Sequence, residues 1–598
     1  MAKSIYNSTE LMHPGHSKFH ITHRVNTTMD MGFRIPCFFR EVLPNEKWNI
    51  NLSTFLRMQP MVSAPFTPIR IYFHFWFCAT RVLMEKWFSQ LPGYQDAWQT
   101  FIFGGENGDG KNRFGNEIQL PLVVPFYNFS SHAPQNVPLA LDFQNGSTVS
   151  QAVGFADAQY SLWDYFGFPI NSFSEYMKLK AFSTPSLIYN DPKIKNFAPL
   201  LFPFYMYQFV FDEFYRDENL EDIDLPFASS SGNSSPFLCS SFSLFKPRRC
   251  LWHADYFTKS LPFQQRGAPV ALPLSGIGKL NWDSVFSDSP VGSQEFVATF
   301  RLPGGKSYLT AGPLSGSEVL GNQTSDDTLR SALSSATFDM SQAVATDVSG
   351  LRLMFQIQKW RERAARGGVR LVEGLLAFFG VAPHDEVLQR PVFIGGLKQD
   401  IIVSEVLQTS ATDSQSPQGN IAGRGISAAK SHIGSYFSRE HGYIMGLMWI
   451  RPDTYYTSQG MHREMLRRSK YDFYWPQFAH LSERPVFKAE IYCDPYNMSA
   501  EALGLGAEGI FGYQGMYNEY RSSTASITAG MRSTFSYWHL AREFTSPPSL
   551  NSSFIRCMPR KDVFAVQNEH PFMVDLLVDC TVYRPIPIRP VPGLIDHA

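Results

Sequence analysis

Hydrophobic and polar side chains alternate along two stretches near the start of the chain. Over Ile69–Phe77 (IRIYFHFWF) the odd-numbered positions carry Ile or Phe, while the even-numbered positions carry Arg, Tyr, His and Trp. Trp48–Leu56 (WNINLSTFL) alternates more weakly and is followed by Pro60 and Pro65. A period of two is typical of a β-strand with one face toward a core. The pattern predicts two strands joined by a proline-containing loop.

Two further strands are predicted near the other end of the chain. They cover Gly442–Ile450 (GYIMGLMWI) and Phe572–Tyr583 (FMVDLLVDCTVY). The second alternates imperfectly, and its predicted apolar positions are Met573, Leu576, Val578 and Val582. Strands therefore lie toward both ends of the sequence, a pattern that favours an antiparallel arrangement.

Helical spacing appears in two places between these strands. After Thr80 the apolar residues recur at mixed steps as far as Phe101, interrupted by Pro92-Gly93, which predicts a short helix, a turn and a second helical turn. Leu351–Arg366 (LRLMFQIQKWRERAAR) is rich in strong helix formers and ends at two glycines, and Val369–Phe379 continues the pattern. These segments predict two consecutive helices.

The order of the elements predicts a mainly β protein in which one antiparallel sandwich carries long insertions. Residues 1–30 are expected to form an N-terminal arm, and residues 31–598 a single domain. Between about 111 and 430 we expect mostly loops and helices, including a Ser/Gly/Thr-rich stretch from 268 to 345. Insertions of this size explain how one sandwich domain can be so long.

Composition narrows the functional classes. The 598 residues carry a formal net charge of -1, which does not suit a histone-like nucleic-acid binder, so any contact with nucleic acid must be local. No apolar run reaches the length of a membrane-spanning helix, and we expect no membrane insertion and no secretory signal. The seven cysteines are scattered without CxxC spacing, so we expect them to be reduced.

Motifs for catalysis or cofactor binding lack their required context. Gly504–Gly509 (GLGAEG) fits GxGxxG without a preceding strand, and Gly304-Gly305-Lys306-Ser307 lacks the leading glycine of a phosphate loop. Four histidines, His13, His16, His20 and His23, are interrupted by Pro14-Gly15 and joined by no further ligand. The sequence predicts no catalytic residue, no cofactor and no bound metal.

Two terminal segments remain as candidate functional sites. Lys18, His20, His23 and Arg24 form a basic group suited to contacting phosphate; the alternative is a solvated chain terminus. Residues 583–598 (YRPIPIRPVPGLIDHA) must lie extended because of their prolines, Pro585, Pro587, Pro590 and Pro592. Such an arm loses little entropy on ordering, which suits a contact between assembled subunits.

Blocks distributed along the chain resemble the major capsid protein of the Microviridae, specifically its gokushovirus-like branch. The blocks are, in order, Gly32–Trp48, Phe73–Trp87, Phe211–Leu220, Asp255–Gly267, Phe355–Gly368, Phe378–Gly396, Ile402–Ser410, Glu440–Leu447, Tyr471–His480, Phe511–Tyr520 and the closing VPGLIDHA. The first contains EVLPN where the family has EVLPG, and the fourth PFQQRG where PWPQKG is usual. Residues 100–190 and 268–345 contain no recognisable block.

The resemblance implies an eight-stranded antiparallel jelly roll that self-assembles into a T=1 icosahedral shell around circular single-stranded DNA. It implies an internal scaffolding protein and a DNA pilot protein as partners, assembly in the host cytoplasm and a final place in the virion. In relatives an insertion forms a protrusion that meets a host receptor, and residues 268–345 are our candidate for it.

Two other functions are alternatives to a coat protein. A receptor-binding or minor virion protein usually contains repeats, and this chain has none. A carbohydrate-active sandwich enzyme needs two facing carboxylates, and the candidate pairs Asp212 with Glu213 and Glu218 with Asp222 belong to no supporting motif.

Overall fold

The computed structural model describes most of the chain. The described residues are 15–94, 96–103, 111, 115, 117–123, 160–169, 198–228, 237–239, 244–267, 277–279, 298–301, 307–310, 337–339, 348–368, 370–407, 421–494, 496, 509–567 and 569–589. The two nucleotide-binding motif matches fall largely outside them, at 304–306 and 504–508.

Eight long strands form the framework. They are β1 Ser17–Met29, β2 Phe33–Val42, β3 Glu46–Met58, β4 Ile69–Ala79, β5 Val392–Leu407, β6 Ile421–Ser438, β7 Gly442–Pro452 and β8 Phe572–Arg584. The predicted strands at 48–56, 69–77, 442–450 and 572–583 are confirmed as β3, β4, β7 and β8. β5 and the beginning of β6 lie within 111–430, a range for which we predicted mostly loops and helices and did not predict these two strands.

The strands pair antiparallel in two sets of four. One sheet has the order β1-β8-β3-β6 and the other β5-β4-β7-β2, to which the short strand Arg248–Arg249 adds an edge. The two sheets are joined through β5 and β6, which pair with each other only at residues 402–407 and 421–426 before each continues into its own sheet. This order is that of an eight-stranded jelly roll, which confirms the antiparallel sandwich predicted from the strand pattern and the jelly roll implied by the resemblance.

The inward faces of both sheets share one hydrophobic core. Ile50 and Leu52 of β3 face Phe73 and Phe75 of β4 within a single cluster of fully buried side chains. Each such side chain contributes roughly 1.5–3 kcal/mol through the hydrophobic effect. Beyond their paired segment, the backbones of β5 and β6 are close at Gly395, where a Cβ would lie 2.1 Å from the carbonyl oxygen of Ile433. Glycine is therefore required for the two backbones to approach at this edge.

The two outward faces differ. The outward face of β5-β4-β7-β2 lies under the helix Phe202–Phe214, where the rings of Trp76 and Phe214 are 4.2 Å apart and the hydroxyl of Tyr207 donates to the carbonyl of Arg34 at 2.5 Å. Consequently β7 is buried at every position except Arg451. In β3 and β8 buried and more exposed residues alternate, and in β1 half-buried and exposed residues alternate, so that one face of their sheet is open to solvent.

Helices and short strands occupy the connections. The α-helices are Thr80–Trp87, Ala97–Phe103, Leu162–Tyr165, Phe202–Phe214, Val348–Gly367, Leu371–Phe379 and Ser552–Ile555. The 3-10 helices are Arg463–Leu466, Lys470–Asp472, Pro476–Phe478, Lys488–Glu490, Asn518–Tyr520, Ala529–Arg532 and Ser536–Trp538. The short strands are Leu122–Val123, Leu238–Cys239, Arg248–Arg249, Ile277–Lys279, Ala298–Arg301, Ser307–Thr310, Thr337–Asp339, Glu483–Phe487 and Ile510–Gly515. The helices predicted after Thr80 and over 351–366 and 369–379 are confirmed.

Contacts divide the chain into two compact units, residues 1–264 with 367–598, and residues 265–366. In the second unit, Ala298–Arg301 pairs with Ser307–Thr310, Ile277–Lys279 pairs with Thr337–Asp339, and the side chain of Arg266 donates to the carbonyl of Ala364 at 3.1 Å. Most of the 268–345 stretch lies outside the described residues, so its role as a protrusion stays a prediction.

The expected N-terminal arm is largely a strand. Residues 17–29 pair with β8 along its whole length, from Ser17 opposite Arg584 to Met29 opposite Phe572. Their inward side chains include Ile21 and Val25, which pack against the core, and this burial holds the segment in the sheet. Only residues 1–14 are left for an arm, and they lie outside the described residues.

Candidate functional site

The outward side of the β1-β8-β3-β6 sheet, here called the open face, collects polar and aromatic side chains from four strands. Register places them in rows across the sheet. The rows are Lys18–Tyr583–Lys47–Phe437, His20–Thr581–Asn49–Ser435, Thr22–Asp579–Asn51–His432, Arg24–Leu577–Ser53–Lys430, Asn26–Asp575–Phe55–Ala428 and Thr28–Met573–Arg57–Ile426. Parts of the chain that are distant in sequence thus meet on one surface.

Positive charge predominates on the open face. Five of its residues are Lys or Arg and two are Asp, with His20 and His432 in addition. Lys18 and Lys47 lie in the same row on either side of Tyr583, and the Lys18 Nζ is 6.0 Å from the centre of that ring. A cation at this distance from an aromatic ring is attracted by its π-electrons. The row presents two ammonium groups around one aromatic surface.

Arg24 is on the open face but already has a partner. Its guanidinium donates two hydrogen bonds to Asp575, Nε to Oδ1 at 2.9 Å and Nη2 to Oδ2 at 2.5 Å. The hydrogen bond from Arg24 lowers the pKa of the Asp575 carboxyl. Because the Arg24 side chain is still 66% exposed, it can donate to a further anion from its free edge.

His23 does not belong to this surface, contrary to the prediction that grouped it with Lys18, His20 and Arg24. A strand alternates its side chains, so the odd position His23 points to the inner side. Its ring packs edge-on against Phe38 with 5.8 Å between centroids, and Nδ1 lies 3.3 Å from an Arg40 nitrogen. Burial, with the charge of Arg40, lowers the pKa of His23.

Apolar surface is also exposed on the open face. Phe55 and Met573 line a shallow cleft of about 420 Å³, together with Arg57, whose guanidinium lies 5.1 Å from the Phe55 ring centre. Met573 is 44% exposed, so its prediction as an apolar core position of β8 was wrong. The buried set of β8 is Phe572, Val574, Leu576, Val578, Cys580 and Val582. Strict alternation puts Met573 on the opposite face from these residues.

The predicted proline arm begins at a buried ion pair. Arg584 Nε lies 2.6 Å from Oε1 of Glu46, which is 0% exposed and also accepts a hydrogen bond from Trp48 Nε1 at 2.8 Å. Pro585 is half-buried and Pro587 exposed, whereas Pro590 and Pro592 lie outside the described residues. Tyr583 and Arg584 are thus part of the sheet, and the segment that leaves it starts at Pro585.

Two of the carboxylates considered for hydrolysis, Asp212 and Glu213, have other partners. Asp212 accepts from Arg216 at 2.6 Å, and Glu213 lies 3.9 Å from the ammonium of Lys86. Within the described part of the chain, no group of three or more His, Cys, Asp or Glu is arranged to hold a metal ion. A helix long and apolar enough to cross a membrane is likewise absent from that part.

Sequence reasoning missed Lys47, Arg57 and Lys430. The first two follow from the alternation of β3, in which Asn49, Asn51 and Ser53 mark the polar face. Lys430 had no such signal, because β6 is built mainly from small residues and was not predicted as a strand. Only the register of the sheet places it in the same row as Arg24, three strands away.

Comparison with known proteins identifies the family. The family described as "Capsid protein (F protein)" matches residues 11–116 and 156–594. The capsid protein VP1 of Chlamydia phage 1 is 29% identical over 97% of this chain and 95% of its own length. The capsid proteins VP1 of Bdellovibrio phage phiMH2K and Spiroplasma virus 4 are 27% and 26% identical, each over 97% of this chain and 96% of their own. The chain belongs to the capsid protein (F protein) family, the major capsid proteins of Microviridae phages, and is a component of the virion.

Proposed function

We propose that this capsid protein assembles into a T=1 icosahedral shell around a circular single-stranded DNA genome, and that the open face contacts the DNA. The observation that carries the DNA contact is the mixture of side chains on one solvent-exposed sheet face: five cations and two carboxylates, interspersed with Tyr583, Phe55 and Phe437. Cations that follow a backbone, together with aromatic rings on which bases stack, are what single-stranded nucleic acid requires.

Single-stranded DNA suits this surface better than a duplex. A sheet face with a shallow cleft cannot enter a groove to read base edges, but unpaired bases can lie flat on exposed rings. Side chains on one face of a strand recur about every 6.8 Å, and neighbouring strands lie about 4.8 Å apart, so several phosphates can be contacted at once. Because the net charge of the whole chain is only -1, the attraction for phosphate comes from the local excess of positive charge on the open face.

The remaining parts of the chain have roles in assembly under this proposal. The segment that starts at Pro585 lies extended over a neighbouring subunit, held to its own sheet through Arg584 and Glu46. The 268–345 insertion forms the surface protrusion that meets a host receptor. An internal scaffolding protein and a DNA pilot protein are the further partners, and assembly takes place in the host cytoplasm before the virion is released.

Expression of the chain alone, with and without circular single-stranded DNA, tests this function. The products are separated by size-exclusion chromatography, imaged by electron microscopy and treated with nuclease. We expect closed icosahedral shells that protect the single-stranded circle from nuclease. A double-stranded circle of the same length is the matched control. The scaffolding protein is added if pentamers or monomers persist. A stable monomer that stays indifferent to both DNA and scaffold would overturn the proposal.

A further inference from the structure

Two cysteines lie directly opposite each other on neighbouring backbone segments. Cys557 N–H donates to the carbonyl of Cys250 at 2.8 Å, and Trp252 N–H donates to the carbonyl of Ile555 at 2.9 Å, with Leu251 and Arg556 bridged antiparallel between them. Residues directly opposite at such a position have Cα atoms about 5.5 Å apart and side chains on the same side. This separation is within the range that a disulfide spans.

The two sulfur atoms meet in a closed environment. Both cysteines are 0% exposed, their side chains are in hydrogen-bond contact, and Trp252 and Trp449 pack around them. A third segment seals the site at Gly32, whose φ is +82° and where a Cβ would lie 2.3 Å from the carbonyl oxygen of Cys557. The geometry holds the pair in register, so little movement is needed to join the sulfurs.

Arginines surround Cys250. Burial by itself raises the pKa of this thiol, but the hydrogen bond from Cys557 and the charges of Arg451, Arg34 and Arg249 outweigh it, so that the pKa lies below that of an ordinary cysteine. Arg34 needs such a neighbour, because its Nε and Nη1 are buried and make no hydrogen bond within the described residues. The Cys250 thiolate is therefore both a counter-ion for these arginines and the nucleophilic member of the pair.

We infer that Cys250 and Cys557 form a reversible disulfide, closed by a low-molecular-weight disulfide and opened again by thiols. In the first step the Cys250 thiolate attacks one sulfur of the oxidant and displaces a thiolate. In the second step Cys557 loses its proton and attacks the Cys250 sulfur, expelling the other half of the oxidant as a second thiol. One protein disulfide forms while the oxidant's disulfide is reduced to two thiols.

The arginines also determine how firmly the bond is held. They stabilise the thiolate of the reduced form, and a disulfide whose reduced form is stabilised is easily reduced. The pair is accordingly open in the reducing interior of the host, where the chain folds, and closes in a released particle that no longer meets a thiol pool. Because the sulfurs are fully buried, the oxidant reaches them only through local opening, and closure is slow.

Equilibration of the full-length protein in a series of glutathione redox buffers tests the inference. Thiols are blocked with one alkylating reagent in denaturant, and those released by reduction are labelled with a second reagent and located by peptide mass spectrometry. In glutathione disulfide alone we expect Cys250 and Cys557 to be linked to each other and to recover fully as thiols in reduced glutathione. The rate of closure should rise with pH as the Cys250 thiolate becomes populated.

Cys493, which is only partly buried, is the internal control for exposure to the oxidant. If it becomes glutathionylated while Cys250 and Cys557 remain free thiols, the inference is wrong. It is also wrong if Cys250 retains glutathione without closing onto Cys557. In the variant Cys557→Ser the internal link must disappear, whereas Cys493→Ser should leave it intact. If Cys557→Ser does not fold, the labelling of Cys250 and Cys557 in the unmodified protein is sufficient to test the inference.

Discussion

Removing three lysines from the open face should weaken the binding of single-stranded DNA in a defined way. Lys18, Lys47 and Lys430 lie on three different strands of this face, are exposed, and belong to no ion pair within the described residues. Replacement by glutamine keeps a polar side chain of similar length at each position. The triple variant Lys18→Gln, Lys47→Gln, Lys430→Gln should therefore keep the sheet intact.

The size of the effect follows from counterion release. Each phosphate contact with single-stranded nucleic acid contributes about 0.7 to the slope of log Kobs against log salt concentration, so three contacts contribute about 2. Over the range from roughly 1 M to 0.15 M salt, that slope corresponds to about a 50-fold loss of affinity at the lower concentration. Arg24 is retained because its loss would also release Asp575.

Fluorescence anisotropy of a labelled oligothymidylate over a salt series measures both quantities. A second triple variant, Lys259→Gln, Lys398→Gln, Lys470→Gln, removes the same charge from exposed lysines away from the open face. The control should keep the slope of the unmodified protein. Our reasoning fails if the open-face variant keeps that slope too, or if the control loses as much, because the effect would then be one of net charge and not of location.

Three further predictions concern stability and assembly. Arg584→Met leaves the fully buried Glu46 without its cation, so we expect the free energy of unfolding in urea to fall by about 3–5 kcal/mol. The double variant Arg584→Met, Glu46→Gln should regain most of this lost stability. Burial lowers the pKa of His570 to about 4. Between about pH 6.5 and pH 4 the unfolded chain therefore binds a proton that the folded chain does not. The free energy of unfolding should decline as the pH falls through this range, by up to about 1.4 kcal/mol per pH unit. In the variant His570→Gln, unfolding curves should show a smaller dependence on pH. Truncation after Arg584 should give subunits with an unchanged melting temperature that form few particles by electron microscopy. Intact particles in normal yield would refute the role of the segment that starts at Pro585 in subunit contact.

The strands that the sequence predicted are those in which the two faces differ or the core face is strongly apolar. β3, β4 and β8 show a period of two. The second face of β4 is buried as well, because Trp76 packs against Phe214 of the helix Phe202–Phe214 and Tyr72 packs against His253. That helix was not predicted, since it is apolar on nearly all sides and has no readable period. β6 was missed for the opposite reason: its inward positions include Gly423, Gly425 and Ser427, which carry no hydrophobic signal.

The candidate site was predictable only in part. Lys18, His20 and Arg24 lie on one face, and their contact with nucleic acid stays a prediction. Their separation from His23 depends on the segment being a strand, whereas the sequence favoured an arm. A one-residue difference in position is irrelevant in an arm and decisive in a strand, where it moves a side chain from solvent to core. The alternation of β3 predicts that Lys47 is on a polar face, but that Lys47 and Lys430 share one surface depends on pairing between segments hundreds of residues apart, which no local pattern contains.

The same row of the sheet links the open face to the C-terminal segment. Tyr583 lies between Lys18 and Lys47 on the open face, and the next residue, Arg584, turns inward to Glu46 before the chain leaves the sheet at Pro585. A ligand that binds Lys18 and Lys47 at once therefore contacts the end of β8, from which the segment that starts at Pro585 departs. Binding of DNA and placement of the segment on a neighbour then depend on one strand end, which gives genome contact and subunit contact a common structural origin. Arg584→Met is the variant that separates the two: it loosens the strand end while leaving both lysines in place, so it should reduce particle yield more than it reduces the affinity of the isolated subunit for DNA.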